Sequence, residues 1–108
     1  MPAYIIAEIE VTDPETYAGY RARTPEAIAR HGGRFLVRGG AVLPMEGAPP
    51  AGRVVMIEFA DMEAARRFYG SPDYQAILPL RRAASRGRLF IVEGVAPQDR
   101  PEEGRPGS

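Results

Sequence analysis

Four stretches of this chain alternate with a period of two, and neither of the two faces so created is polar enough to be left in water. The stretches are Ala3 to Val11, Arg34 to Arg38, Arg53 to Phe59 and Arg88 to Val95. One set of alternate positions collects Ile5, Ala7, Ile9, Val11, Phe35, Val37, Val55, Ile57, Phe59, Phe90 and Val92, with no polar member. That face is predicted to lie under helices. The other set collects Tyr4, Ile6, Glu8, Glu10, Arg34, Leu36, Arg38, Val54, Met56, Glu58, Leu89, Ile91 and Glu93. A sheet with one wet face normally carries a mostly polar outer surface. Here Ile6, Leu36, Val54, Met56, Leu89 and Ile91 leave an apolar patch at or above the roughly 300–600 Å² that monomers reach. Covering it at about 25 cal/mol per Å² is worth many kcal/mol before association costs. The pattern therefore predicts a homodimer formed through the open sheet face.

Between these strands lie helix signals. Asp13 offers an N-cap with Pro14 at the first helical position, and Thr12 with Glu15 forms a competing capping box. Tyr17, Tyr20, Thr24, Ile28 and His31 recur at helical spacing, Pro25 should kink or split that helix, and Gly32-Gly33 ends it. Ala41 to Glu46 reads as a weak extended piece after the Gly39-Gly40 turn. Asp61 caps a second helix running to about Tyr69. Ser71-Pro72 starts another, carrying Tyr74, Ile77, Leu78 and Arg81, with Pro79 as a kink and Gly87 as its stop. The order β-α-β-β-α-β, with the second helix broken, predicts a ferredoxin-like α+β sandwich whose antiparallel sheet carries both helices on one face.

Composition removes several chemistries. The 108 residues include 14 basic and 14 acidic ones, and every basic residue is Arg. Zero net charge speaks against a nucleic-acid binder, and the absence of Lys excludes a Schiff base or a P-loop lysine. With no Cys there is no disulfide, thiolate nucleophile or cysteine metal site. His31 is the single histidine, so neither a metal nor a cofactor is expected. No run approaches the ~18 apolar residues of a membrane span. Glu8 interrupts any leader-like core at the N-terminus, which places the protein in the cytoplasm and off the membrane. One domain over residues 1–95 is expected, followed by a disordered tail over 96–108 in which no apolar residue exceeds Ala or Pro in size.

A family resemblance rests on specific residues. They are the run from Gly32-Gly33-Arg34-Phe35-Leu36 through Val37-Arg38-Gly39-Gly40, then Glu46-Gly47, then Arg53 leading to Ile57-Glu58-Phe59. Ala65, Phe68-Tyr69, Ser71-Pro72, Tyr74, Arg81 and Val92-Glu93-Gly94 continue it. Over about residues 3 to 95 the chain resembles the domain-of-unknown-function 1330 family, a branch of the dimeric α+β barrel superfamily. The resemblance implies a ferredoxin-like protomer and a homodimer with its two sheets face to face, and no established reaction. Relatives in the superfamily include cofactor-free monooxygenases, haem-degrading enzymes and small-lactone isomerases.

Charged residues on the open face are the first candidates for chemistry. With sheet order 4-1-3-2 and strand one parallel to strand three, Glu8 and Glu58 become neighbours, and Arg34 approaches Glu58. A Glu8–Glu58–Arg34 cluster sealed in a dimer would be an acid/base site with an anion-binding Arg, or an ion-pair network that sets register. If deeply buried, loss of Arg34 would cost about 3–5 kcal/mol. Arg38 stands on the same face. Tyr69, Tyr74 and Arg81 are the second constellation, either packing residues or the edge of a pocket for a planar acidic ligand. Ser71 reads as a helix cap, His31 as a partner of the helix dipole, and Glu46 and Arg53 as a pair across the loop. Two functional readings result. The first is a homodimer that binds a small organic ligand; the second is a cofactor-independent monooxygenase or isomerase acting on a small aromatic or carbonyl compound.

Overall fold

Proline at a first helical position needs a cap in front of it, and Asp13 supplies one: its carboxylate accepts the Thr16 backbone N–H at 3.3 Å and the Thr16 hydroxyl at 2.7 Å. The Thr16 side chain and then the Thr16 backbone hold the Asp13 carboxyl below its ordinary range. This cap prevails over the Thr12–Glu15 alternative. In the computed structural model, which describes residues 1–96, it joins strand β1 (Ala3–Val11) to helix α1 (Pro14–Arg30). There follow β2 (Arg34–Arg38), β3 (Arg53–Phe59), α2 (Met62–Tyr69), α3 (Pro72–Ala84) and β4 (Ser85–Glu93). The expected tail lies, apart from Ala96, outside the described residues. None of the described helices is long and apolar enough to cross a membrane.

The sheet order is β2-β3-β1-β4, with every neighbouring pair antiparallel. This is the expected ferredoxin-like α+β arrangement. The core lies between sheet and helices, where Ile5, Ala7, Ile9, Val55, Ile57 and Phe59 meet Tyr17, Tyr20, Ile28, Phe68, Tyr74 and Ile77. The break between α2 and α3 is where it was expected. Asp61 accepts from the Ala64 N–H at 2.8 Å, and Ser71 accepts from the Tyr74 N–H at 3.3 Å while donating to the Phe68 carbonyl at 2.6 Å.

Other expectations need correction. Pro25 does not split α1, which runs unbroken through it. Residues 41–46 form no strand. Gly87 does not stop α3; β4 starts directly at Ser85, because the Thr12 and Asp13 N–H groups both bind the Ala84 carbonyl and lock that corner. Gly87 lies within the strand at φ +152°, where a β-carbon would overlap the Glu8 carbonyl. This start reverses the expected phase of β4. Leu89 and Ile91 pair with Ala7 and Ile5 and pack on the core, whereas Phe90 and Val92 are 38% and 42% exposed on the open face. In β2 the register slips between Phe35 and Val37: Phe35 stands opposite Ile57 and Val37, two residues on, stands opposite the adjacent Met56. Arg38 thereby falls opposite Val55, on the helix side of the sheet.

Candidate functional site

The expected Glu8–Glu58–Arg34 cluster does not form. Strands β1 and β3 run antiparallel, so Glu58 stands opposite Tyr4 while Glu8 stands opposite Val54. The two carboxylates are separated along the sheet and find different partners. Arg34 donates from Nε to Glu58 Oε1 at 2.7 Å, and Arg88 donates from Nη2 to Glu8 Oε2 at 2.9 Å. The Arg34 side chain is 72% exposed and that of Glu58 only 22%, so in this protomer the pair has the modest worth of a surface ion pair, about 0.2–1 kcal/mol. The larger cost expected for a deeply buried cluster does not apply to this exposed Arg34.

The helix side of the sheet brings a different set together. Its floor is Ile5, Ala7, Ile9, Val55 and Ile57, and its walls are Tyr17, Tyr20, Thr24, Phe35, Phe68 and Tyr74. The sequence dictates this directly: Tyr17, Tyr20 and Thr24 form one stripe of α1, and Tyr74 follows the Ser71 cap of α3. The Tyr20 and Tyr74 hydroxyls bind each other at 2.9 Å, and Thr24 Oγ1 donates to the Tyr20 carbonyl at 2.6 Å. Burial, and then the neighbouring Tyr74, push the Tyr20 phenol far above its ordinary range, so it stays protonated. A space of about 30 Å³ remains, room for one or two water molecules.

Arginines form the mouth of this cleft. Arg21, Arg38 and Arg53 line it, and no carboxylate among the described residues lies within ion-pairing distance of any of them. The Arg38 guanidinium lies 4.5 Å from the Phe35 ring centroid and donates to the Arg21 carbonyl at 2.8 Å. Burial, followed by repulsion from Arg21 and Arg53, lowers its pKa. The Arg53 guanidinium lies 5.6 Å from the Tyr17 ring centroid, with its Nε buried and without a hydrogen-bond partner among the described residues. It forms no ion pair with Glu46. Instead it abuts Gly39, whose φ of +72° and missing β-carbon leave it space. Burial raises the Tyr17 phenol above its ordinary range, and the opposing pull of Arg53, Arg21, Arg81 and Arg38 only partly offsets it. The field at the mouth is therefore strongly positive.

Of the candidates read from sequence, Tyr74 and Arg38 belong to this cleft, Arg38 from the face opposite to the one expected. Tyr69 packs on Tyr74 at 5.5 Å between centroids. With Arg81 it borders a separate outer groove that Arg82, Arg86 and Arg88 complete. Glu8, Arg34 and Glu58 belong to the open face. His31 binds Asp73 at 3.2 Å, bridging the end of α1 to the start of α3. The Ser71 hydroxyl and then His31 hold the Asp73 carboxyl down to about 2. Ser71 gives its own hydrogen to Phe68, so the His31 contact is the one the geometry sustains. Arg21, Tyr17, Tyr20 and Arg53 were not anticipated as site residues. Arg53 carried a readable signal, since counting back by twos from Phe59 puts it on the buried face.

Topology and core define a ferredoxin-like α+β protein with helices on one side of an antiparallel sheet. The family model for a domain of unknown function, DUF1330, matches residues 2–95, and the chain belongs to that family. Its fold is similar to that of RPA0582, a protein of unknown function from Rhodopseudomonas palustris, with a TM-score of 0.71, 21% identity, and 89% of this chain and 84% of that one covered. It is also similar to SnoaB, a cofactor-independent oxygenase from Streptomyces nogalater, with a TM-score of 0.62, 22% identity, and 92% and 98% covered. At these identities the likeness is one of fold. No curated protein matches the sequence.

Proposed function

We propose that this protein is a homodimer that binds a small aromatic acid in the cleft of each protomer, the ring among Tyr17, Tyr20, Phe35 and Tyr74 and the anion between Arg38 and Arg53. The observation that carries this reading is a set of guanidinium groups, without carboxylate partners among the described residues, at the mouth of an aromatic-walled cleft. A half-buried cation such as Arg38 or Arg53 gains from an anionic partner, and bidentate geometry suits carboxylate. The residual space is smaller than a ring, so the ligand enters as Tyr17 and Arg53 swing outward.

The dimer covers the apolar open face. Ile6, Val54 and Met56 are already half-buried there, and Leu36, Phe90 and Val92 stand exposed beside them. Glu8–Arg88, Glu10–Arg86 and Arg34–Glu58 frame the patch and serve register and assembly rather than ligand binding. Light scattering at micromolar concentration should give twice the chain mass.

Calorimetric titration with benzoate, 2-naphthoate and their neutral amides tests the cleft. The acids should bind, the amides should not, and Arg53→Gln should weaken the acids at least tenfold. Equal binding of acids and amides, or unchanged affinity in Arg53→Gln, would overturn the assignment.

A second reading, a cofactor-independent oxygenase or isomerase, draws support from the arginine field that opposes burial at Tyr17. A phenol or enol held there would ionise more readily than in an apolar site. Oxygen uptake or product formation with such compounds, lost in Arg53→Gln, would distinguish this reading from simple binding.

A further inference from the structure

Two departures from regular backbone converge on one side chain. In β2 the register slip after Phe35 turns Arg38 away from the open face and into the cleft. In α1, Pro25 has no backbone N–H, so the Arg21 carbonyl four residues earlier lacks its helical donor. That carbonyl is the one that accepts from Arg38 Nη2, at 2.8 Å. An orphan carbonyl on one element and a re-aimed guanidinium on another thus satisfy each other.

The chemistry of this acceptor matters. A carboxylate would hold Arg38 in place but neutralise it. A backbone carbonyl fixes one N–H and leaves both the positive charge and the remaining donors free. The Phe35 ring, 4.5 Å away, supports the guanidinium from the side. Arg38 is thereby held ready before a ligand arrives, which reduces the ordering cost of binding.

We infer that Pro25 is a positioning residue for anion recognition, acting through the Arg21 carbonyl on Arg38. The inference rests on the reading of the cleft as a site for a small aromatic acid. Pro25→Ala restores a helical N–H to the Arg21 carbonyl, which then competes with Arg38 and releases it. A merely structural role for Pro25 would change stability; a positioning role changes affinity in a fold that is equally or more stable, since Ala favours the helix interior.

The experiment uses the full chain and two readouts. Benzoate affinity, measured by calorimetry, should fall about tenfold in Pro25→Ala, as for the loss of one well-placed charged hydrogen bond. Pro25→Ala combined with Arg38→Gln should bind no more weakly than Arg38→Gln alone. The second readout needs no ligand: with guanidinium nitrogen-labelled arginine, NMR should show slowly exchanging Arg38 N–H signals that become averaged in Pro25→Ala. Unchanged Arg38 signals in Pro25→Ala, or additive losses in the double variant, would overturn the inference. If the unaltered protein binds no aromatic acid, the cleft reading fails, and the Arg38 signals still decide whether Pro25 positions that side chain.

Discussion

The hydroxyl pair in the cleft wall makes a sharp test of how this core is held. Tyr20 and Tyr74 are 7% and 1% exposed, and their only side-chain polar contact among the described residues is each other, at 2.9 Å. Tyr74→Phe removes one hydroxyl and leaves Tyr20 with a buried, unpaired O–H, at a cost of about 1–3 kcal/mol. Tyr20→Phe does the converse, at similar cost. The double variant leaves no orphan, so it should lose less than the sum of the singles, with a coupling of about 1–2 kcal/mol. For a domain of this size each kcal/mol is about 4–8 °C in Tm. Urea titration of the four proteins at one fixed protein concentration gives the cycle. Additive losses, or singles within 0.3 kcal/mol of the unaltered chain, would show that the two hydroxyls do not depend on each other and that the argument is wrong.

Further consequences follow from the backbone and the charges. Gly87→Ala should abolish stable folding or cut stability severely, because the new methyl overlaps the Glu8 carbonyl at a positive φ; a near-native urea midpoint would contradict the packing described for β4. Phe90→Glu should leave the circular-dichroism spectrum intact while halving the mass seen by light scattering, whereas Ile91→Ala should destabilise the protomer itself by about 1–3 kcal/mol. The reverse pattern would restore the opposite phase for that strand. Asp73 has its carboxyl lowered from 3.8 to about 2, so the ionised form favours the folded state. Its contribution is complete above the unfolded value and disappears as pH falls through the folded one. Asp73→Asn should therefore be less stable than the unaltered chain at neutral pH, with the gap narrowing below the unfolded value and closing only once the pH is well below the folded one; a gap of the same size at neutral pH and in strong acid would refute the link.

The fold was legible where one local cause dominates. Asp13-Pro14, Asp61 and Ser71-Pro72 mark helix starts through side chains that cap their own backbone, and β1 and β3 show their faces by simple alternation. What escaped were features decided between elements. The phase of β4 depends on the Ala84 carbonyl being gripped by Thr12 and Asp13, a contact across more than seventy residues. The bulge in β2 leaves no mark in a five-residue strand, so simple alternation puts Arg38 on the face opposite to the one it occupies. Alternation within a strand says nothing of its direction, so the antiparallel pairing of β3 with β1 that separates Glu8 from Glu58 has no local signature. As for the candidate site, its aromatic stripe on α1 was visible but read only as packing. Its arginines were not seen as a group, because Arg21, Arg38 and Arg53 come from three elements and meet only after folding.

The choice of guanidinium at the cleft mouth sets how the protein responds to acidity. Among the described residues the lining side chains there include neither imidazole nor carboxyl. Arginine keeps its proton across the whole physiological range. The charge presented to an arriving anion is thus a constant, and any rise or fall of binding with pH would trace the titration of the guest molecule rather than of its host.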